Sequence, residues 1–326
     1  MSLEEKIGQM MMVGVQGKSV DENIKFLFNQ YHFGGIIFFD RNMDDKVQVK
    51  NFSDELQSVG GKKVPLFIAL DEEGGRVSRM QHALVPPLSQ EQIGSTGDIN
   101  LAEISAQSIS RDLRDIGVNI NFAPVADVGT NDTRSFSNDA EKVSEFVSSA
   151  AQGYEIEKMF YCLKHFPGLG RGKVDTHKDI SVVDAEKEIL FAEDLLPFKK
   201  IISEHDNSKF MVMVGHLKYN ALDSENAASL SHEIITKILR DELNFQGVVI
   251  TDDLNMGATS NYDSIENNAV KSIKAGADIA LICHEYELEK KAGDAILNAV
   301  KSGEISEERI NESVRRILQM KLKLGK

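Results

Sequence analysis

The sequence has little that would hold a metal, a nucleic acid or a membrane. Only two cysteines occur in 326 residues, and Cys162 and Cys283 each sit inside an apolar run, so both read as buried small hydrophobes rather than a disulfide or metal pair. His165, His177, His216 and Asp252 are the remaining candidate zinc ligands, but none shows the paired helical His spacing of a strong metal signal, so neither a metal nor another cofactor is expected. No run of Lys and Arg relieves the formal net charge of -14, which repels nucleic acid and anionic lipid. No apolar run approaches the roughly 18 residues of a membrane span. The first residues lack the apolar core of an export signal and open as a helix, with Ser2 as cap and Glu5 three positions on. A cytoplasmic protein is expected, unless an export leader once preceded residue 1. A glycine-rich phosphate or dinucleotide turn is also missing, since Gly14 stands alone after the first apolar run.

What is present is an ordinary globular composition, 41% hydrophobic and 27% charged, arranged in a repeating order. Short apolar runs at 9–15, 34–40, 65–70, 118–128, 160–163, 210–215, 247–251 and 278–283 read as buried strands. Most are followed by an amphipathic helix, at 21–31, 46–59, 101–116, 141–158, 184–195, 234–243, 265–275 and 287–300, and a last helix covers 306–324. In the first of these Ile24, Leu27 and Phe28 share one face. Eight strands alternating with helices, with no composition break, predict a (β/α)8 TIM barrel forming one domain over 1–326. A doubly wound sheet would alternate too, but it needs no eighth strand.

Barrel enzymes place their chemistry on the loops that follow the strands. Asp40, Asp71, Asp127, Lys164, His165, His216, Asp252 and Asp253 all fall at such strand ends, although Asp40 and Asp127 read equally well as helix caps. Arg79, Arg134 and Lys164 lie on three of these loops and suit the fixing of hydroxyls or a carboxylate of a polar ligand; the alternative is ordinary surface ion pairing.

The stretch 164–179, KHFPGLGRGKVDTHKD, holds two histidines, Pro167 and Gly168, Gly170 and Gly172, and reads as a working loop. In an extended segment Asp175 and His177 point to the same side, where a carboxylate fixes the imidazole tautomer and favours its charged form. Such a histidine can donate a proton. A carboxylate on one wall and an imidazole on an opposing loop are the parts of a double displacement, in glycosyl or acyl transfer.

Several ordered motifs then carry a resemblance that runs nearly end to end. SLEEKIGQMMMVG, GGIIFFDRN, ALDEEGGRVSRM, GVNINFAPVADV with Arg134, Ser135 and Phe136, the loop above, VGHLKYNALD with ASLS, and VVITDDLNM resemble the single-domain β-N-acetylglucosaminidases of glycoside hydrolase family 3. The loop is similar to the family pattern Lys-His-Phe-Pro-Gly-His-Gly, four residues, Asp-Ser-His. The resemblance implies a retaining hydrolase that removes terminal N-acetylglucosamine from peptidoglycan fragments or chitooligosaccharides. It implies Asp252 as nucleophile, His177 oriented by Asp175 as acid/base, and Asp71, Arg79, Arg134, Lys164 and His165 as groups that hold the sugar hydroxyls. Leu169 stands where the family has His, Thr176 replaces Ser and Glu72 replaces Gln. The implied partner is a small carbohydrate. Two alternatives are a phosphorylase using the same residues and a non-catalytic sugar-binding barrel, though the latter should have lost Asp252 or His177. A two-domain β-glucosidase takes its acid/base from a second domain, which this chain does not supply.

Overall fold

A computed structural model describes residues 1–324 apart from Lys62, 81–85, Asn131, 173–180 and Tyr262. Ten strands occur among the described residues: β1 Met11–Gly14, β2 Gly35–Ile37, β3 Phe67–Leu70, β4 Ile120–Asn121, β5 Phe160–Phe166, β6 Val182–Val183, β7 Phe210–Val214, β8 Lys218–Tyr219, β9 Val248–Thr251 and β10 Ala280–Ile282. Eight of them run parallel in the order β10-β1-β2-β3-β4-β5-β7-β9. A further parallel bridge between Ile250 and Ile279 joins β9 to β10. The sheet therefore closes, and the architecture is the expected (β/α)8 barrel. Both faces of its strands are covered, so the runs are continuously apolar instead of alternating. β1, β3, β7 and β9 are buried at every position.

The helices start where side chains can satisfy free backbone N–H groups. Ser2 and Glu5 form a reciprocal cap on Leu3–Gln9, Asp21 caps Glu22–Tyr31, and Asp139 caps Ala140–Ile156. Ile24, Leu27 and Phe28 are the buried face of the second helix, as their spacing predicts. At the N-terminal end of the barrel, buried Asp278 binds Arg240 and Arg316 and accepts from the Val249 amide at 2.9 Å, fixing the start of β9 and β10. Cys162 and Cys283 are both buried.

Three elements in particular differ from the sequence expectation. The fourth strand, expected over 118–128, pairs regularly only at Ile120–Asn121. Pro124 has no N–H to give the ladder, and the backbone of Val125 is taken over by the Gln90 side chain, which donates to its carbonyl and accepts from its amide, both at 2.8 Å. The fifth strand, in contrast, continues through Lys164 and His165 to Phe166, with a register shift between Leu163 and Phe166. The expected helix over 184–195 starts later, at Lys187, because Val182–Val183 pairs with Lys218–Tyr219 in a separate parallel ribbon.

Candidate active site

At the C-terminal end of the barrel lies a pocket of about 210 Å³ whose lining includes Asp71, Arg79, Arg134, Lys164, His165 and Asp252. Asp175 and His177 lie outside the described residues. The six that are described come from loops or ends of β3, β4, β5 and β9, so the barrel brings together side chains up to about half a chain apart.

The loop after β3 is shaped by Gly74 and Gly75, whose φ angles are +91° and +60°. A side chain would be strained at either, and a Cβ on Gly74 would stand 2.2 Å from the Leu88 carbonyl oxygen. This turn follows two adjacent acids that point to opposite sides. Glu72 is buried below the loop, accepting from the Ser78 hydroxyl and from the Arg79 amide at 2.9 Å. Burial pushes its carboxyl up, against those donors. Glu73 turns into the pocket, where it accepts from Lys164 Nζ at 2.7 Å and from Arg134 Nε and Nη2 at 2.8 Å each.

Lys164 also reaches Asp71 Oδ1 at 2.6 Å, and Asp71 Oδ2 faces Arg79 Nη2 at 3.4 Å. The result is a chain of alternating charge: Arg79, Asp71, Lys164, Glu73, Arg134. With side-chain exposures of 2% for both Lys164 and Glu73, these are not surface ion pairs. Burial would lower the Lys164 ammonium, yet Asp71 and Glu73 hold it above its ordinary range. Burial likewise opposes ionisation of Glu73, and the Lys164 and Arg134 charges pull it well below the usual carboxylate range. Lys164, Glu73 and Arg134 are thus each kept charged by their neighbours.

His165 continues the wall, with Nε2 at 3.3 Å from Arg134 Nη2. On its other side the Nδ1 proton faces Asp127 Oδ2 at 2.8 Å. Asp127 further accepts from the His165 and Leu169 amides at 3.0 and 2.8 Å. It is therefore the orienting partner of His165, not a helix cap. Leu169 keeps this backbone contact although its side chain differs from the resembled family's His. Asp40 is exposed, 3.9 Å from Arg79 Nη1. His216 is wholly buried, between the Ser229 hydroxyl and the Asp253 carbonyl, and stands outside the pocket wall.

Asp252 and Asp253 end β9, and their environments push them apart. Burial disfavours the Asp252 charge, but His165, His216, the Asp253 amide and Lys164 outweigh it and leave its carboxyl below the ordinary value. Asp253 is pushed up by burial and by the neighbouring Asp252 charge, against the Asn255 and Cys283 amides that it accepts from at 3.1 Å each. Of the two, Asp252 is the one held ready as an anion.

Sequence reasoning passed over Glu73, the central carboxylate of the charge chain, and the role of Asp127. It also passed over Phe39 and His284, which line the mouth. The signal for Glu73 was the Gly-Gly pair behind it.

Comparison with known proteins identifies the family. The family model described as "Glycosyl hydrolase family 3 N terminal domain" matches residues 2–320, and the chain belongs to that family. It is 32% identical to Beta-hexosaminidase A of Pseudoalteromonas piscicida, over 91% of this chain and 54% of that protein. It is 31% identical to Beta-hexosaminidase LpqI of Mycobacterium tuberculosis, over 98% and 83%. A family 3 β-N-acetylglucosaminidase from Paenibacillus sp. str. FPU-7 superposes with a TM-score of 0.95 at 37% identity, covering 99% of this chain and 62% of that one. This chain thus spans little more than half of some relatives and most of others.

Proposed function

We propose that the protein is a retaining exo-β-N-acetylglucosaminidase, taking terminal N-acetylglucosamine from a β-linked oligosaccharide such as a peptidoglycan or chitin fragment. The observation that carries this reading is the split between the two aspartates: Asp252 is held below its ordinary value, against burial, by His165, His216 and Lys164, and Asp253 is pushed the other way. A nucleophile has to be anionic before substrate arrives. The pocket volume of about 210 Å³, below the usual range for drug-sized ligands, suits a single sugar residue and hence removal from a chain end.

In the proposed reaction Asp71, Arg79, Arg134, Lys164 and His165 fix the hydroxyls of the terminal sugar. An Asp252 oxygen attacks the anomeric carbon as the bond to the leaving oxygen breaks, and His177, its ring held by Asp175, delivers its proton to that oxygen. Water then attacks the anomeric carbon of the glycosyl-enzyme, giving up a proton to His177, and the Asp252 carboxylate departs. A histidine suits the acid role beside an anionic nucleophile, because imidazolium attracts the carboxylate where a second carboxylate would repel it.

The test is hydrolysis of a chromogenic N-acetylglucosaminide beside the plain glucoside, with and without phosphate, for the parent and Asp252→Ala. Cleavage of the first substrate without phosphate, lost in the variant while product sugar still binds, is expected. Near-normal kcat in Asp252→Ala would sink the nucleophile assignment, and a sugar phosphate product would make the protein a phosphorylase.

A further inference from the structure

The pocket has a second wall that the proposed reaction does not use. It is formed where the ends of β2 and β10 meet, and it is aromatic. The Phe39 amide donates to Asn42 Oδ1 at 2.9 Å, and the buried Asn42 amide donates in turn to the Val15 and Gly17 carbonyls at 2.9 and 2.8 Å. The Phe39 ring lies 5.3 Å from that of His284, tilted by 33°. Two guanidinium groups approach the same ring, Arg41 at 4.5 Å and Arg79 at 5.5 Å from its centroid. The wall is therefore built in advance of any ligand, which lowers the ordering cost of binding.

Arg41 also decides what His284 presents. Its Nε and Nη2 donate to the Val15 and Cys283 carbonyls at 3.1 and 2.8 Å, and its Nη1 stands 3.3 Å from His284 Nδ1. Arginine has no acceptor, so Nδ1 accepts and the proton of the neutral ring sits on Nε2. Burial, with Arg41 nearby, pushes the imidazole below its ordinary range, so the neutral form prevails. The nearest acidic oxygen to Nε2, Asp253 Oδ2, is 3.9 Å away, beyond hydrogen-bonding reach. A partly exposed aromatic ring and a solvent-facing N–H donor thus stand together on one wall.

Their position settles which part of a substrate they would meet. The His284 side chain is 46% exposed, whereas Lys164 and Glu73 are each 2% exposed. Phe39 and His284 are at the mouth, and the charge chain is at the floor. In a retaining displacement the leaving group departs on the side opposite the nucleophile, and in a pocket with Asp252 inside, that side faces outward. We infer that Phe39 and His284 form the leaving-group subsite, selecting a sugar ring whose C–H face stacks on Phe39 and whose hydroxyl accepts from His284 Nε2–H. This rests on the glycosidase reading above.

The experiment compares an N-acetylglucosaminyl fluoride, whose leaving group has no ring, with the β-1,4-linked N-acetylglucosamine disaccharide. Phe39→Ala and His284→Ala are expected to lower kcat/KM for the disaccharide by about tenfold, chiefly through KM, and for the fluoride by less than about threefold. Phe39→Tyr keeps the ring and should keep the parent's ratio. Equal losses on both substrates would overturn the subsite and assign the wall to the retained sugar. A parent enzyme that turned over neither substrate would overturn the glycosidase reading itself.

Discussion

Glu73 offers a demanding test, because the structure ties both stability and substrate binding to one carboxylate. Glu73→Gln keeps the shape of the side chain and removes its charge. The new amide can accept from one of its partners but presents N–H groups to another, where Lys164 Nζ and two nitrogens of Arg134 now donate at 2.7 to 2.8 Å. Leaving buried cations without their counter-charge costs about 3–5 kcal/mol. For a chain of 326 residues, an unfolding entropy of about 2.1 cal/mol/K per residue converts this to a melting point roughly 4–7 °C lower. The same change frees the two cations proposed to hold the sugar, and misplacement of that kind is expected to lower kcat/KM by about 100-fold. Scanning calorimetry and steady-state kinetics on parent and variant measure the two effects. The double variant with Lys164→Met should recover part of the lost stability, because it removes the orphaned charge along with its partner. A melting point within 1 °C of the parent and kcat/KM within about twofold would refute the reasoning, since both cations would then be held without Glu73.

Two further perturbations probe the protonation of other groups. Glu289 is wholly buried with both carboxyl oxygens unpartnered, and burial, only partly offset by Arg41, pushes its pKa to about 9. A raised carboxyl pKa means the folded state holds the proton longer, so stability is greatest below the unfolded value near 4.5 and is lost as pH rises towards 9; Glu289→Gln should gain on the parent by on the order of several kcal/mol between pH 5 and 9, and a pH-independent difference in denaturant midpoints would contradict this. For the proposed acid, His177→Ala should slow cleavage of a natural disaccharide far more than that of an activated aryl glycoside, whose leaving group needs little protonation, with Asp175→Ala showing a weaker bias; an equal loss on both would make His177 a positioning group.

The fold was legible because a closed parallel barrel writes its strands as bare apolar runs between turn residues, and there is little else for eight such runs to do. The site was legible only in part. Asp71, Arg79, Arg134, Lys164, His165 and Asp252 could be placed at strand ends, and the pocket gathers all six. The sequence does not say which of two adjacent acids faces inward: Glu72 and Glu73 are chemically alike, and only the fold shows one beneath the loop on Ser78 and the other in the pocket on Arg134. Asp127 looked as much like a cap as a partner, because its contact with His165 spans 38 positions. The mouth was invisible for the same reason, with Arg41 and His284 separated by 243.

The proposed nucleophile takes its environment from the barrel itself. Against the cost of burial, the charge of Asp252 is favoured by His165, His216 and Lys164, all on barrel strands or directly after them. The flanks of that stretch are fastened independently. On one side Arg171 Nε binds Asp194 at 2.7 Å and the Gly168 carbonyl accepts from the Tyr219 hydroxyl. On the other Val182–Val183 pairs with Lys218–Tyr219, so the segment containing Tyr219 holds both flanks at once. The proposed nucleophile and its sugar-fixing cations thus sit on barrel strands and the loops that follow them, and the proposed acid belongs to the stretch of sequence between the two fastened flanks. Substitutions at Glu73, Asp127 or Lys164 should therefore register in both stability and kinetics, because each of these buried groups holds a neighbour of the pocket.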